Sequence, residues 1–172
     1  MISAKIQEAF NKQLNAELYS SYLYLSMSAH FESINLPGCA NWMRCQAQEE
    51  LVHAMKFHGY IIDRGGTVLL MAIEGPPTGW SSPLKAFEDA YKHEQKVTGL
   101  INAIVDFTVE EKDHASNAVL QWFVTEQVEE ESSANDVVQK LKLAGDQGGG
   151  LFLVDRELAQ RVFTMPAAQS QE

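Results

Sequence analysis

Glu49-Glu50-Leu51-Val52-His53 stands in the middle of a long run with helical patterning. Glu50 and His53 are three residues apart, so on an α-helix they leave the same face. A carboxylate beside an imidazole on an inward helix face is a metal-ligand pairing. The same spacing is common on solvated faces, so the pair alone carries little. The rest of the chain has to decide.

Around the pair, Trp42, Phe57 and Tyr60 extend the helix over about 39–64, and Gly65-Gly66 closes it. Upstream, Ile6, Phe10, Leu14 and Leu18 recur every fourth residue without Pro or Gly, which predicts a helix over about 3–34 with Ser3 as N-cap. That helix also carries Glu17 and Tyr24, seven apart and nearly on one face, and the turn Asn35-Leu36-Pro37-Gly38 ends it. Downstream, Gly66 to Ser82 is too long for a tight hairpin and suits a crossover along the length of a bundle. Within it Thr67 to Ile73 is apolar and β-rich, and needs cover from another subunit or from its own bundle.

Ser82 as cap and Pro83 in the first turn open a third helix over about 83–111, through Phe87, Tyr91, Glu94, Val97 and Ile101. A fourth, over about 114–143, carries Leu120, Phe123, Gln127 and Glu130, and Gly145 to Gly150 breaks it. A short fifth, over about 150–162, has Leu151, Val154, Leu158 and Val162 on one face, before Pro166 and a polar tail. The expected fold is all-α: one domain over 1–172, a four-helix bundle with a long crossover between helices 2 and 3 and a short fifth helix.

Length and charge narrow the function. At 172 residues the chain can bury one sizeable core. Its formal net charge of −10 argues against a nucleic-acid surface and fits solubility or attraction of cations. No apolar run approaches a membrane span, so no membrane partner is expected. Met1 to Phe10 holds Lys5 and Glu8 and no apolar signal core, so a cytoplasmic protein is expected. Cys39 and Cys45, six apart, fall on different helix faces and read as free thiols rather than a disulfide or a zinc pair.

The inward acids carry an internal order. Glu17 to Glu50 and Glu94 to Gln127 each span 33 residues. Glu17 to Glu94, Glu50 to Gln127 and His53 to Glu130 each span 77. The first half reads Glu, then Glu-x-x-His; the second reads Glu, then Gln-x-x-Glu, in register. This is the plan of carboxylate-bridged two-metal bundles, with one Glu from each of two helices and an i, i+3 pair from each of the others. Carboxylates with one imidazole suit iron, and also Mn²⁺ or Zn²⁺, and one carboxylate can bridge two metals. Four inward carboxylates without cations would repel and hold raised pKa values, so the empty bundle should be less stable than the loaded one. Gln127 and Glu130 replace the Glu and His that strict symmetry would put there. A neutral amide is the weaker ligand, so a second metal should be held more loosely than the first, as in a site through which iron passes.

Over nearly its whole length the chain resembles the ferritin family, and within it the non-haem bacterial ferritins. The resemblance rests on Glu17 with Tyr24, the Glu49-Glu50-x-x-His53 block, Glu94, the block from Trp122 to Gln127-x-x-Glu130, and the short fifth helix. It implies a ferritin-like fold and a ferroxidase that oxidises Fe²⁺ to Fe³⁺ with O₂ or H₂O₂ at a di-iron centre and stores ferric mineral in a hollow shell of 24 subunits. Glu17, Glu50 and His53 would bind the first iron, and Glu50, Glu94 and Glu130 the second, with Glu50 bridging. Gln127 would be a site-adjacent amide, and Tyr24 a tyrosine able to donate an electron. Glu49, Glu126, Glu129 and Glu130 would form an additional iron site. The fifth helix would surround the four-fold axes, and Thr67 to Ile73 would pair across the two-fold.

Departures from related families narrow the expectation. Haem-binding bacterioferritins use a Met one position before the helix-2 His, where this chain has Val52, and a full second Glu-x-x-His; no haem is expected. The acids lining the three-fold pores of animal ferritins would fall near Asn117 and Leu120, which are not acidic. A rubrerythrin-like di-iron peroxidase without storage is the alternative, but it usually carries a four-Cys iron site and this chain has two Cys. A DNA-protecting mini-ferritin has different ligand spacing, and a metal-free scaffold leaves the 33- and 77-residue spacings unexplained. His30, His58, His93 and His114 stand outside the repeat and read as surface or boundary residues.

Overall fold

The computed structural model describes residues 1–145 and 148–165. Five helices follow in order: α1 (Ala4–Ser33), α2 (Pro37–Asp63), α3 (Pro83–Glu110), α4 (His114–Ala144) and α5 (Gly148–Leu158). No strand occurs among the described residues. Residues 146 and 147, within the expected Gly145–Gly150 break, and Pro166 with its polar tail lie outside the described residues.

Local chemistry sets the helix starts. Ser3 Oγ accepts from Ile6 N–H, Ser82 Oγ from Lys85 N–H and Asp113 Oδ1 from Ser116 N–H, each satisfying a donor that the helix cannot. The start of α2 is different. It begins at Pro37, two residues before the expected Cys39, and Leu36 offers no capping side chain. The carboxylate of Asp155, from α5, accepts from Cys39 N–H at 2.8 Å instead. The closeness of this docking requires Gly38: a Cβ there would stand 1.7 Å from the Asp155 carbonyl oxygen. At the other end of α2, Gly65 takes φ +70, and the N–H of Gly66 returns to Ile61 O at 2.8 Å. These bonds use carbonyls the helix leaves free. The fifth helix runs over Gly148–Leu158 rather than 150–162.

Helices α1 and α2 run antiparallel. Ser28 Oγ donates to Ala40 O, Ser21 Oγ donates to Ala47 O, and Phe10 meets Phe57 edge-on at 5.3 Å. The pair α3–α4 is antiparallel likewise, with Glu94 beside Gln127 and Thr108 beside Asn117. Between the pairs, the crossover runs along α1. Asn11 Nδ2 donates to Thr67 O, Ser26 Oγ donates to Pro77 O, and Trp80 meets His30 at 5.3 Å. The chain thus returns to the end where α2 began, and Phe87 near the start of α3 packs on Trp42 near the start of α2. So α2 and α3 are parallel. Val68 tucks against the core, while Leu69, Leu70, Met71 and Ile73 stay exposed on the single chain.

The core is in two apolar blocks. One joins Ile6, Phe10, Phe57, Ile61, Ile101 and Phe123; the other joins Met27, Phe31, Met43, Phe87, Val138 and Leu158. Burial of each such large side chain contributes about 1.5–3 kcal/mol. Between the blocks lies a buried polar waist that includes Glu17, Ser20, Gln46, Glu50, His53, Glu94, Gln127 and Glu130. Buried carboxylates cost stability, so the blocks offset a band that packing alone would not select.

Candidate metal centre

Each helix of the bundle delivers acid or amide groups to the waist. The antiparallel registers explain the 33-residue spacings: Glu17 faces Glu50 across α1–α2, and Glu94 faces Gln127 across α3–α4, where the Gln127 amide lies 3.3 Å from Glu94 Oε2. Glu17, Glu50, His53 and Glu94 are at most 2% exposed.

Two groups of potential ligands emerge, and His53 belongs to both. Glu17, Glu50 and His53 each offer one ligand atom within 4.8 Å of the others. His53, Glu126 and Glu130 do the same. Glu130 thus clusters with Glu126 and His53. Glu94 belongs to neither cluster; it accepts from Tyr24 OH and from Gln127 Nε2. Glu49 is half-buried and paired with Arg161, and Glu129 is exposed.

Hydrogen bonds hold the carboxylates in place. Gln13 Nε2 donates to Glu17 Oε1 at 2.8 Å, and Gln46 Nε2 donates to Glu130 Oε2. Gln127 Nε2 also faces Glu94 O and Thr98 Oγ1, and Thr98 Oγ1 donates to Glu131 Oε1 at 2.6 Å. Gln127 therefore serves Glu94 as a donor. Glu17 Oε2 and Glu50 Oε2 are buried with no partner. Buried polar atoms are seldom left so. Two such oxygens beside an imidazole are what a bound cation would satisfy.

The electrostatics agree. Burial pushes the Glu17 carboxyl up to about 7, and the charge of Glu94 adds to this against the bond from Gln13. Burial likewise takes Glu94 to about 7 against bonds from Tyr24 and Gln127. Glu50 and Glu130 are raised well above the usual range, mostly by burial and then by neighbouring carboxylates. Burial lowers His53 to about 4, so its ring is neutral and can donate a lone pair to a metal. His53 is packed edge-on to Trp122 at 5.4 Å, over which Lys56 lies at 4.0 Å.

Three members of the waist went unmarked in the sequence, Gln13, Gln46 and Arg161, and the last two follow no pattern there. His93, expected at a surface or boundary, is half-buried between α1 and α3, where its Nε2 lies 2.7 Å from Ser20 Oγ and its ring meets Tyr24. Gln13 stands four before Glu17 on one helix face, a local signal that could have marked it.

The family model for a ferritin-like domain matches residues 7–144. The chain belongs to the ferritin family. A bacterial non-heme ferritin of Bacteroides fragilis is 48% identical over 161 residues, covering 94% of this chain and all of that protein. Another, from Escherichia coli, is 38% identical over 159 residues, covering 92% of this chain and 96% of its own length. Among solved structures, an Archaeoglobus fulgidus ferritin engineered into a closed form superposes with a TM-score of 0.94 at 54% identity, covering 95% of this chain and all of that one. An open-pore ferritin from the same archaeon gives 0.93 at 53% identity over 94% of this chain and all of its own. Each of these two ferritins from A. fulgidus matches this ferritin chain along nearly its full length. No described helix is long and apolar enough to cross a membrane.

Proposed function

We propose that this ferritin chain is a ferroxidase that stores the iron it oxidises. Fe²⁺ is the substrate. In the first step Glu17, Glu50 and His53 bind one ion, and Glu50, Glu94 and Glu130 bind a second, with Glu50 shared. Two Fe²⁺ give up one electron each, and one O₂ takes both with two protons: 2 Fe²⁺ + O₂ + 2 H⁺ → 2 Fe³⁺ + H₂O₂. Peroxide can replace O₂ as the oxidant. Glu49, Glu126, Glu129 and Glu130 form an additional iron position. Tyr24, bonded to Glu94, supplies an electron when the pair needs one.

The observation that carries this reading is the pair of unpartnered oxygens, Glu17 Oε2 and Glu50 Oε2, beside a buried neutral imidazole. Gln127 spends its amide on Glu94, so one side of the centre has fewer anionic ligands. That asymmetry suits iron that arrives, is oxidised and moves on.

The chain forms one ferritin-like domain and assembles with copies of itself into a cytoplasmic shell of 24 subunits. Exposed Leu69, Leu70, Met71 and Ile73 are covered across the two-fold axis, and α5, with Phe152 and Leu153 exposed, lines the four-fold axis. Neither nucleic acid nor membrane is a partner. Titration of apoprotein with Fe²⁺ under air, following oxygen uptake and particle mass, tests this. Oxygen uptake should continue far beyond three irons per chain while the particle gains mineral. Saturation at two or three irons in a small oligomer would sink the storage reading.

A further inference from the structure

Arg161 lies three residues beyond α5, outside every motif of the site, yet it is built into the waist. Its carbonyl accepts from Asn41 Nδ2 at 2.9 Å, and its N–H donates to Leu158 O at 3.2 Å. Its guanidinium stacks on Trp42 at 4.4 Å, donates through Nη1 to Gln46 Oε1 at 2.7 Å, and pairs through Nη2 with Glu49. Gln46, fully buried, passes the contact on: its Nε2 donates to Glu130. The amide has one possible direction. A guanidinium only donates, so Gln46 Oε1 must face it, and the NH₂ is left for the Glu130 carboxylate. A fixed positive charge therefore reaches two carboxylates, Glu49 directly and Glu130 through one amide.

We propose that Arg161 is a tethered counter-cation that holds Glu49 and Glu130 in place of a metal ion. An ion moving onto Glu49 must displace the guanidinium from it, so the additional iron position is occupied weakly and briefly. This rests on the reading of Glu49 and Glu130 as that position. Arg161 is a positioning residue and no metal ligand, since a guanidinium has no lone pair to offer. Its anchored backbone and Trp42 keep it within reach, so it re-pairs with Glu49 once iron has left. The arrangement favours onward movement of the third ion over retention.

Zn²⁺, which undergoes no redox chemistry, reports the binding events. The assembled apoprotein is titrated by calorimetry as wild type, Arg161→Gln, Arg161→Lys and Glu49→Gln, and as the double variant Glu49→Gln with Arg161→Gln. Arg161→Gln should bind the third ion per chain roughly tenfold more tightly, the size of one partly screened ion pair, and leave the first event, at Glu17, Glu50 and His53, unchanged. Arg161→Lys keeps the charge and should return the third affinity toward wild type. On a Glu49→Gln background, Arg161→Gln should gain much less, because only the path through Gln46 to Glu130 remains. A third affinity that is equal or weaker in Arg161→Gln overturns the proposal. So does an equal gain on the Glu49→Gln background, which would trace the effect to a loosened chain end. Absence of a third event in every protein overturns both the proposal and the additional iron position beneath it. A third event of equal affinity overturns the role of Arg161 alone.

Discussion

Glu50 Oε2 lies 3.5 Å from His53 Nδ1, both side chains fully inside the bundle, and that oxygen has no hydrogen-bond donor. His53 is held neutral by burial, so the contact is not a salt bridge in function. It is a pair of ligand atoms side by side, each able to turn a lone pair to a cation once Glu50 loses its proton. A ligand that binds only the folded chain stabilises it by about 2.7 kcal/mol at a hundred times its dissociation constant. Zn²⁺ or anaerobic Fe²⁺ should therefore raise the melting temperature of the assembled apoprotein, as scanning calorimetry reads it. An unchanged melting temperature at saturating metal would contradict the assignment.

The same carboxyls set a pH dependence. Glu17 and Glu94 sit at about 7 in the folded chain, against about 4.3 for an unfolded Glu. Between these values the folded apoprotein keeps protons that the unfolded chain has released, so stability falls as pH rises. His53 and His93, lowered to about 4, oppose this. They do so only up to about pH 6.5, where unfolded His is already losing its proton. Above that the carboxyls prevail. The metal-free protein should melt at a lower temperature at about pH 8 than at about pH 6.5, and metal should bind more tightly at the higher pH because its ligands must lose protons. A rising melting temperature over that interval without metal would count against the raised carboxyls.

Gln127 distinguishes binding from retention. Gln127→Glu would replace a donor to Glu94 with a second acceptor, facing Glu94 O and Oε2 at the same distance of 3.3 Å. The metal-free variant should lose about 1–3 kcal/mol of stability, the cost of an unsatisfied buried group. The loaded variant should keep its second ion longer, because a carboxylate ligates better than an amide. Denaturant unfolding without metal and chelator-driven Zn²⁺ release read the two halves. A variant as stable as wild type that releases Zn²⁺ just as fast would show that Gln127 sets neither.

Gly38 ties α5 to the bundle. Gly38→Ala places a methyl 1.7 Å from Asp155 O, closer than backbone can yield locally. The helix α5 should shift or undock, at a cost of about 1–3 kcal/mol, as for overpacking elsewhere. Asp155 would leave Cys39 N–H, and Arg161 would move away from Glu49. Limited proteolysis should then cut near residue 145 in the variant and not in wild type. Equal resistance in both would mean that the contact yields more easily than its geometry indicates.

Much of this was legible in the sequence because it is local or periodic. The fourfold recurrence of Ile6, Phe10, Leu14 and Leu18 marks α1, and the shared 33-residue spacing marks where the antiparallel pairs bring Glu17 to Glu50 and Glu94 to Gln127. What was not legible comes from distant partners. Gln46 meets Glu130 across 84 residues, and Arg161 meets Glu49 across 112, with no pattern linking them. The early start of α2 depends on Asp155, 116 residues from Cys39. His93 reads only as a surface or boundary residue in the sequence; its bond to Ser20 and contact with Tyr24 come from the α1–α3 packing. The division of the site into two clusters sharing His53 also needs three dimensions, since a spacing cannot say which carboxylates lean together.

The most direct test of the central claim is the initial rate of Fe²⁺ oxidation on mixing about two irons per chain with air-saturated buffer. It compares wild type with the assembled Glu50→Ala, His53→Ala double variant. Removal of the proposed bridge and of the imidazole should slow the fast phase by at least about a hundredfold, the size expected when metal-binding groups are lost. A double variant that assembles normally and keeps the wild-type rate would place the oxidation elsewhere and contradict the account.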